Sequence, residues 1–233
     1  MKLRVGLGVV VLLVCVCQVV AASIPVELHG EAIQGGMIVG KTLRGSQVSQ
    51  DGQAVRVSPD GDFLLGFTRD APATSSVVIE APNGDRVTRT LDVTQREYRI
   101  QRIDGLPPGK VTPRKPEDLA RIRRDVVDVR KARARDDDRQ DFLTGFIWPV
   151  EGPITGVYGS QRVLNGKPRR PHFGVDVAAP VGTPVYAPAP GIVTLAVPDM
   201  YFSGGTLIID HGHKLTSSFL HLHKLHVKPG DRV

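Results

Sequence analysis

The chain has 233 residues, enough for one large domain or two small ones with a buried core. Its 25 glycines and 18 prolines, with only 5% aromatic residues, argue against a helical bundle and suit short strands joined by turns. The formal charge of +6 is a mild basic excess spread along the chain; it favours an anionic surface and is too weak to support nucleic-acid binding.

Residues 1–22 read as a secretory signal. Lys2 and Arg4 form a positive start, Val9 to Val16 is an unbroken apolar run, and Val20-Ala21-Ala22 offers small residues before Ser23. The alternative is an uncleaved membrane anchor, in which case the chain would also contact the membrane. Val5 to Ala22 is only just long enough to span a bilayer, however, and contains Gly6, Gly8 and Gln18. A lipid anchor on Cys17 fits less well, because Cys15-Val16 before it lacks small residues. Cys15 and Cys17 are the only cysteines, so the chain after cleavage has neither disulfides nor thiolate ligands. Removing Lys2 and Arg4 takes the charge from +6 to +4. The expected destination is outside the cytoplasm.

Residues 23–105 alternate apolar and polar side chains in short runs between turn signals. Ala54-Val55-Arg56-Val57 leads through Pro59-Asp60-Gly61-Asp62 to Phe63-Leu64-Leu65-Gly66-Phe67. Ser76-Val77-Val78-Ile79-Glu80 leads through Pro82-Asn83-Gly84-Asp85 to Arg86-Val87-Thr88-Arg89-Thr90-Leu91, and Asn-Gly between such runs is a strong hairpin signal. The pattern predicts a small β-sandwich of about seven strands. It carries no catalytic constellation; His29 stands alone, and the module reads as one that binds or spaces.

Residues 106–145 form a linker with a charged helix. Asp104 to Pro116 is rich in Pro and Gly, and Leu119, Ile122, Val126 and Val129 then make a narrow helical stripe, with Pro116 suited to the first helical position. The helix could dock an envelope protein partner, as could the sandwich. The plainer reading is a solvated helix packing one edge on a neighbour. The stripe fails after Val129, which argues against a long coiled coil.

From residue 146 on, short apolar runs return between Gly/Pro turns: 154–159, 184–187, 191–196, 206–210 and 217–221. They predict an antiparallel β domain. It holds six of the seven histidines. The fold class expected for the whole chain is mainly β.

Within this region His172 and Asp176 flank Gly174. On a straight strand they would lie about 13 Å apart, too far for one ion, so the chain must bend between them, and Gly174 is the residue able to bend it. Bent, the pair could supply two ligands to a tetrahedral zinc; alone it is equally a surface loop. Farther on, Ser217, Phe219, His221 and His223 are expected on one strand face, the two histidines roughly 7 Å apart. Two such histidines could give two ligands, a ligand and a base, or simply a polar face. His211, His213 and His226 fall in or beside turns and are expected at the surface.

Several ordered blocks then resemble one family. They are Gly159-Ser160-Gln161-Arg162, His172-Phe173-Gly174-Val175-Asp176, Ala179-Pro180-Val181-Gly182-Thr183-Pro184-Val185, Pro190-Gly191-Ile192-Val193, Gly205 to Gly212, Phe219-Leu220-His221-Leu222 and Val227 to Val233. Over residues 146–233 the chain resembles the lysostaphin-type (LytM-like) zinc metallopeptidases, which cut peptide cross-links in bacterial peptidoglycan. The resemblance implies Zn²⁺ as cofactor, His172 and Asp176 as its first two ligands, and His221 as a catalytic residue that polarises the water or steadies the oxyanion. It implies peptidoglycan as substrate and no nucleic-acid partner. The family's third ligand comes from a His-x-His pair on a later strand. His221-Leu222-His223 does not match that pair, because the segment from Val227 to Asp231, which precedes the family's strand, follows it here. His223 is accordingly read as a neutral strand residue, and the peptidase domain is expected to be incomplete at Val233, with little hydrolysis by the 233-residue chain. Lys214 stands where the family usually has Gly, at a cost of about 1–2 kcal/mol if the turn is left-handed. Two other readings stay open: a non-catalytic murein-binding or amidase-activating module with a degenerate metal site, and an envelope scaffold acting through the sandwich.

Overall fold

The computed structural model describes residues 24–105 and 115–233. The expected export signal, with Cys15 and Cys17, and most of the Pro/Gly-rich linker lie outside the described residues. No described helix is long and apolar enough to cross a membrane.

Two antiparallel sheets form from residues 27–92. One orders β1 (Glu27–His29), β2 (Met37–Lys41) and β5 (Asp62–Gly66); the other orders β4 (Gln53–Val55), β3 (Gln47–Gln50), β6 (Thr74–Glu80) and β7 (Arg86–Asp92). Alternation of apolar and polar residues sends Phe63 and Leu65 from the first sheet, and Val77 and Ile79 from the second, into one core, where all four are fully buried. The seven strands match the expected sandwich. The Asn83-Gly84 turn closes the β6–β7 hairpin, with Gly84 N–H donating to the Ala81 carbonyl at 2.9 Å.

The last strand of this half takes a different partner. β8 (Ile100–Ile103) runs parallel to β10 (Gln161–Leu164), which in turn pairs with β11 (Lys167–Pro168). The mainly β class with antiparallel sheets holds in both halves, and the ladder between them is parallel. A parallel pair between segments some 60 residues apart leaves no local turn signal to read.

Helix α1 (Pro116–Arg133) begins with Pro at its first turn, beside Glu117 and Asp118, and ends with Arg130, Lys131 and Arg133. Both ends complement the helix dipole. Ala132 packs with Leu195, Met200 and Ile208, flanked by Val129 and Val197. Arg121 pairs with Asp199 at 2.7 Å, Tyr201 N–H donates to Asp125 at 2.7 Å, and Arg133 donates to Ser218 at 2.9 Å. The helix thus packs one edge on the sheet formed by β13 (Ile192–Met200), β14 (Gly204–Asp210) and β15 (Thr216–Leu222). Its other face, including Val126 and Val127, is exposed.

A short 3-10 turn, Asp141–Thr144, follows, and β9 (Ile154–Gly156) pairs with β12 (Asp176–Val177). The run 184–187 is not a strand: prolines at 180, 184, 188 and 190 remove donors a ladder would need, and Tyr186 N–H instead makes a single bond to the Pro149 carbonyl, at 2.8 Å.

Candidate metal centre

His172 and Asp176 come together. The chain bends at Gly174, and His172 Nε2 lies 3.1 Å from Asp176 Oδ1. Three contacts orient the histidine. Its N–H donates to the Ser160 carbonyl at 2.8 Å, its C=O accepts from Gly159 N–H at 2.7 Å, and its Nδ1 lies 3.3 Å from the Val157 carbonyl. With the proton on Nδ1, facing that carbonyl, Nε2 would be free to join Asp176 on a metal, the arrangement metal-bound histidines commonly use. Asp176 stands opposite Gly156 in the β9–β12 register, and a side chain at residue 156 would collide with its carboxylate: a Cβ there would sit 2.1 Å from Oδ2. The carboxylate is mostly exposed and the imidazole partly so, which leaves the pair open to a ligand from solvent.

An imidazole nitrogen freed by the bond at its other nitrogen, beside an ionisable carboxylate, fits two of the three protein ligands of a catalytic zinc. Among the described residues no group of three or more His, Cys, Asp or Glu could hold a metal ion, so no third donor of these types joins the pair.

The strand carrying the later histidines differs from the expected alternation. The β14–β15 register shifts between the Gly205–Leu222 and Leu207–Phe219 pairs, and His221 has φ +59° with its N–H bonded to the Ser203 carbonyl at 2.8 Å. This bulge breaks the two-residue period, and β15 ends at Leu222, leaving His223 in a bend beyond it. His221 and His223 therefore do not form the expected strand-face pair, although both are exposed.

His211 and His213 are the opposite of surface residues. His211 is fully buried, its Nδ1 at 2.7 Å from the Pro190 carbonyl and its Nε2 at 2.9 Å from Ser217 Oγ. His213 packs on Phe142, with neither ring nitrogen hydrogen-bonded among the described residues. Burial, helped by nearby Arg56, pushes its pKa down and keeps the ring neutral. The turn placed them correctly in sequence, but it folds inward around Arg139, whose guanidinium bonds Asp137, Asp141 and the buried Asp210. Lys214 adopts φ +62°, the left-handed conformation that favours Gly.

The model for Peptidase family M23 matches residues 170–233. The chain is 41% identical over 63 residues to the peptidoglycan DD-endopeptidase ShyA of Vibrio cholerae, covering 27% of this chain and 14% of that protein. It is 40% identical over 94 residues to ShyB of the same organism, covering 40% and 19%. A lipoprotein NlpD/LppB homolog of Pseudomonas aeruginosa is 32% identical over 89 residues, covering 38% and 28%. The chain therefore spans under a third of the length of these relatives. A crystal structure assigned to peptidase M23 from Pseudomonas aeruginosa superposes with a TM-score of 0.59 at 27% identity, over 87% of this chain and 79% of that one. From residue 170 on, the chain carries a peptidase M23 (LytM-type) domain.

Proposed function

We propose that the chain belongs to a zinc-dependent endopeptidase of the cell envelope, acting on peptide cross-links or stems of bacterial peptidoglycan. The observation that carries this reading is the meeting of His172 Nε2 and Asp176 Oδ1 inside the M23 match. The names of ShyA and ShyB support the substrate class, and the export signal read at residues 1–22 supports the location.

His172 and Asp176 would hold the zinc. When bound, zinc polarises a scissile carbonyl and lowers the pKa of its water toward ~7. The chain's own residues bind and orient: the Val157 carbonyl would accept a proton carried on His172 Nδ1, and exposed His221 is the group proposed to hold or pass a proton at the scissile oxygen. Among the described residues no third donor joins the pair, which favours weak zinc binding and little hydrolysis by this chain. That donor count also favours the second reading, a non-catalytic murein-binding or amidase-activating module with a degenerate metal site.

Metal analysis with zinc titration, alongside incubation with purified peptidoglycan, tests both. Weak zinc uptake that disappears in His172→Ala and Asp176→Ala is expected, and uptake unchanged in both variants would remove the metal-site reading. If hydrolysis is seen, His221→Ala should lower it by about 10²–10⁴-fold at unchanged zinc content. Murein binding with no hydrolysis selects the second reading. Tight stoichiometric zinc with His223 in its coordination shell would contradict the two-donor account.

A further inference from the structure

The three contacts that orient His172 all go to residues 157–160, and that loop is gripped by the sandwich half of the molecule. Arg69 lies in the loop after β5 with its side chain only 10% exposed, and its Nε–H donates to the Gly159 carbonyl at 2.8 Å. The Arg69 guanidinium carbon sits 4.3 Å from the centre of the Tyr98 ring, and Tyr98 O–H donates back to the Arg69 carbonyl at 3.1 Å. The Tyr98 ring occupies the space a side chain at 159 would need, since a Cβ on Gly159 would meet it at 2.0 Å. On the other side, Tyr158 fills the space above Gly35, and Arg96 faces its ring at 5.8 Å. Gln161 N–H then bonds the Arg99 carbonyl at 3.0 Å, where β10 joins β8. Burying a guanidinium is unfavourable unless its bonds are made, and its planar fork over an aromatic ring is geometry a lysine does not reproduce.

We propose that Arg69 and Tyr98 are positioning residues for His172: the sandwich clamps the Gly159 turn, and the turn sets the orientation of the imidazole. Neither residue is among the contacts made by His172, so the effect passes through the backbone bonds at Gly159 and Ser160. The inference rests on the reading of His172 as a metal ligand. It assigns the sandwich a part in forming the metal centre, beyond binding or spacing.

The test uses the full chain, zinc alone as probe, and residue-resolved amide hydrogen exchange. In Arg69→Ala, and again in Tyr98→Ala, exchange at Gly159 and His172 should rise while Phe63 and Leu65 in the sandwich core stay protected. Zinc affinity should fall about 10–100-fold, the range found when residues supporting a metal ligand are removed. Unchanged protection at Gly159 and His172 overturns the clamp, including in a chain that takes up no metal. Raised exchange with unchanged zinc affinity overturns the positioning role wherever His172→Ala abolishes binding. If His172→Ala leaves zinc binding intact, the metal reading fails instead, and the exchange data alone judge the clamp. If Arg69→Ala also exposes Phe63 and Leu65, Arg69→Lys, which keeps the charge, decides by the same two amides: selective opening supports the clamp, and full protection overturns it.

Discussion

In the turn after β14, Gly212, His213 and Lys214 take positive φ in succession, at 87°, 49° and 62°. Gly212 bears most of the constraint. A Cβ there would lie 1.7 Å from the Arg139 carbonyl oxygen, whereas a Cβ on Gly84, at the same φ of 87°, would meet nothing within 4 Å. The two glycines therefore separate backbone preference from packing. Gly84→Ala should cost about 1–2 kcal/mol from the left-handed conformation alone. Gly212→Ala should cost about 2–5 kcal/mol, since overpacking adds to the same backbone term. Denaturant unfolding of the two variants checks this, and equal losses would show that the approach of Arg139 is unimportant. Asp141 gives a second prediction at this scale. Hydrogen bonds from Arg232, with Arg139 assisting, hold its carboxyl below the ordinary value of 3.8. A carboxyl with a lowered folded-state pKa contributes stability that is complete above about pH 5 and is lost as pH falls through 3.8 and below. Asp141→Asn should accordingly unfold with a shallower dependence on pH between 5 and 3, and a slope identical to the parent chain's would refute the assignment.

Among the elements, helix α1 depends on few apolar contacts: Ala132 and Val129 against Leu195, Met200, Ile208 and Val197. Leu195→Ala should cost about 2–5 kcal/mol and loosen the end of the helix. Trypsin cleavage at Arg130, Lys131 or Arg133 should then appear, and a helix as resistant as the parent chain's would show that the Arg121–Asp199 ion pair and the Tyr201–Asp125 hydrogen bond suffice. The start of this helix was legible, because Pro116 and the acidic residues after it act locally. The β6–turn–β7 hairpin was legible for the same reason. The bulge at His221 and the burial of His211 were not, since each depends on what the neighbouring strand or loop presents, and a two-residue period cannot register an inserted residue. The meeting of His172 and Asp176 required only a bend at Gly174, which the residues between them suggested. The clamp on Gly159 was out of reach, because Arg69 and Tyr98 lie 90 and 61 positions before it in the chain.

Among the described residues there are two apolar cores, one inside the sandwich and one under helix α1. Polar and backbone contacts join them: the β8–β10 ladder, Arg69 on Gly159, and Arg56 on Asp136 at 2.7 Å and on Asp138. These contacts should couple the halves, so that core amides of both, such as Phe63 and Ile208, lose hydrogen-exchange protection together as denaturant is raised. Two well-separated openings would show that the halves fold independently. Added salt should narrow the coupling only slightly, because the ladder and the Arg69 bond are not exposed ion pairs.

The direction of β8 relative to β10 has a mechanical consequence. The chain enters β8 at Ile100 from the sandwich and leaves β10 at Leu164 toward β11. Tension drawn between those two points runs along parallel strands from opposite ends. The four residue pairs would then be loaded in shear, all at once, instead of being peeled apart one by one. A protein tethered within a stretched polymer mesh would keep its two halves in register under such a pull.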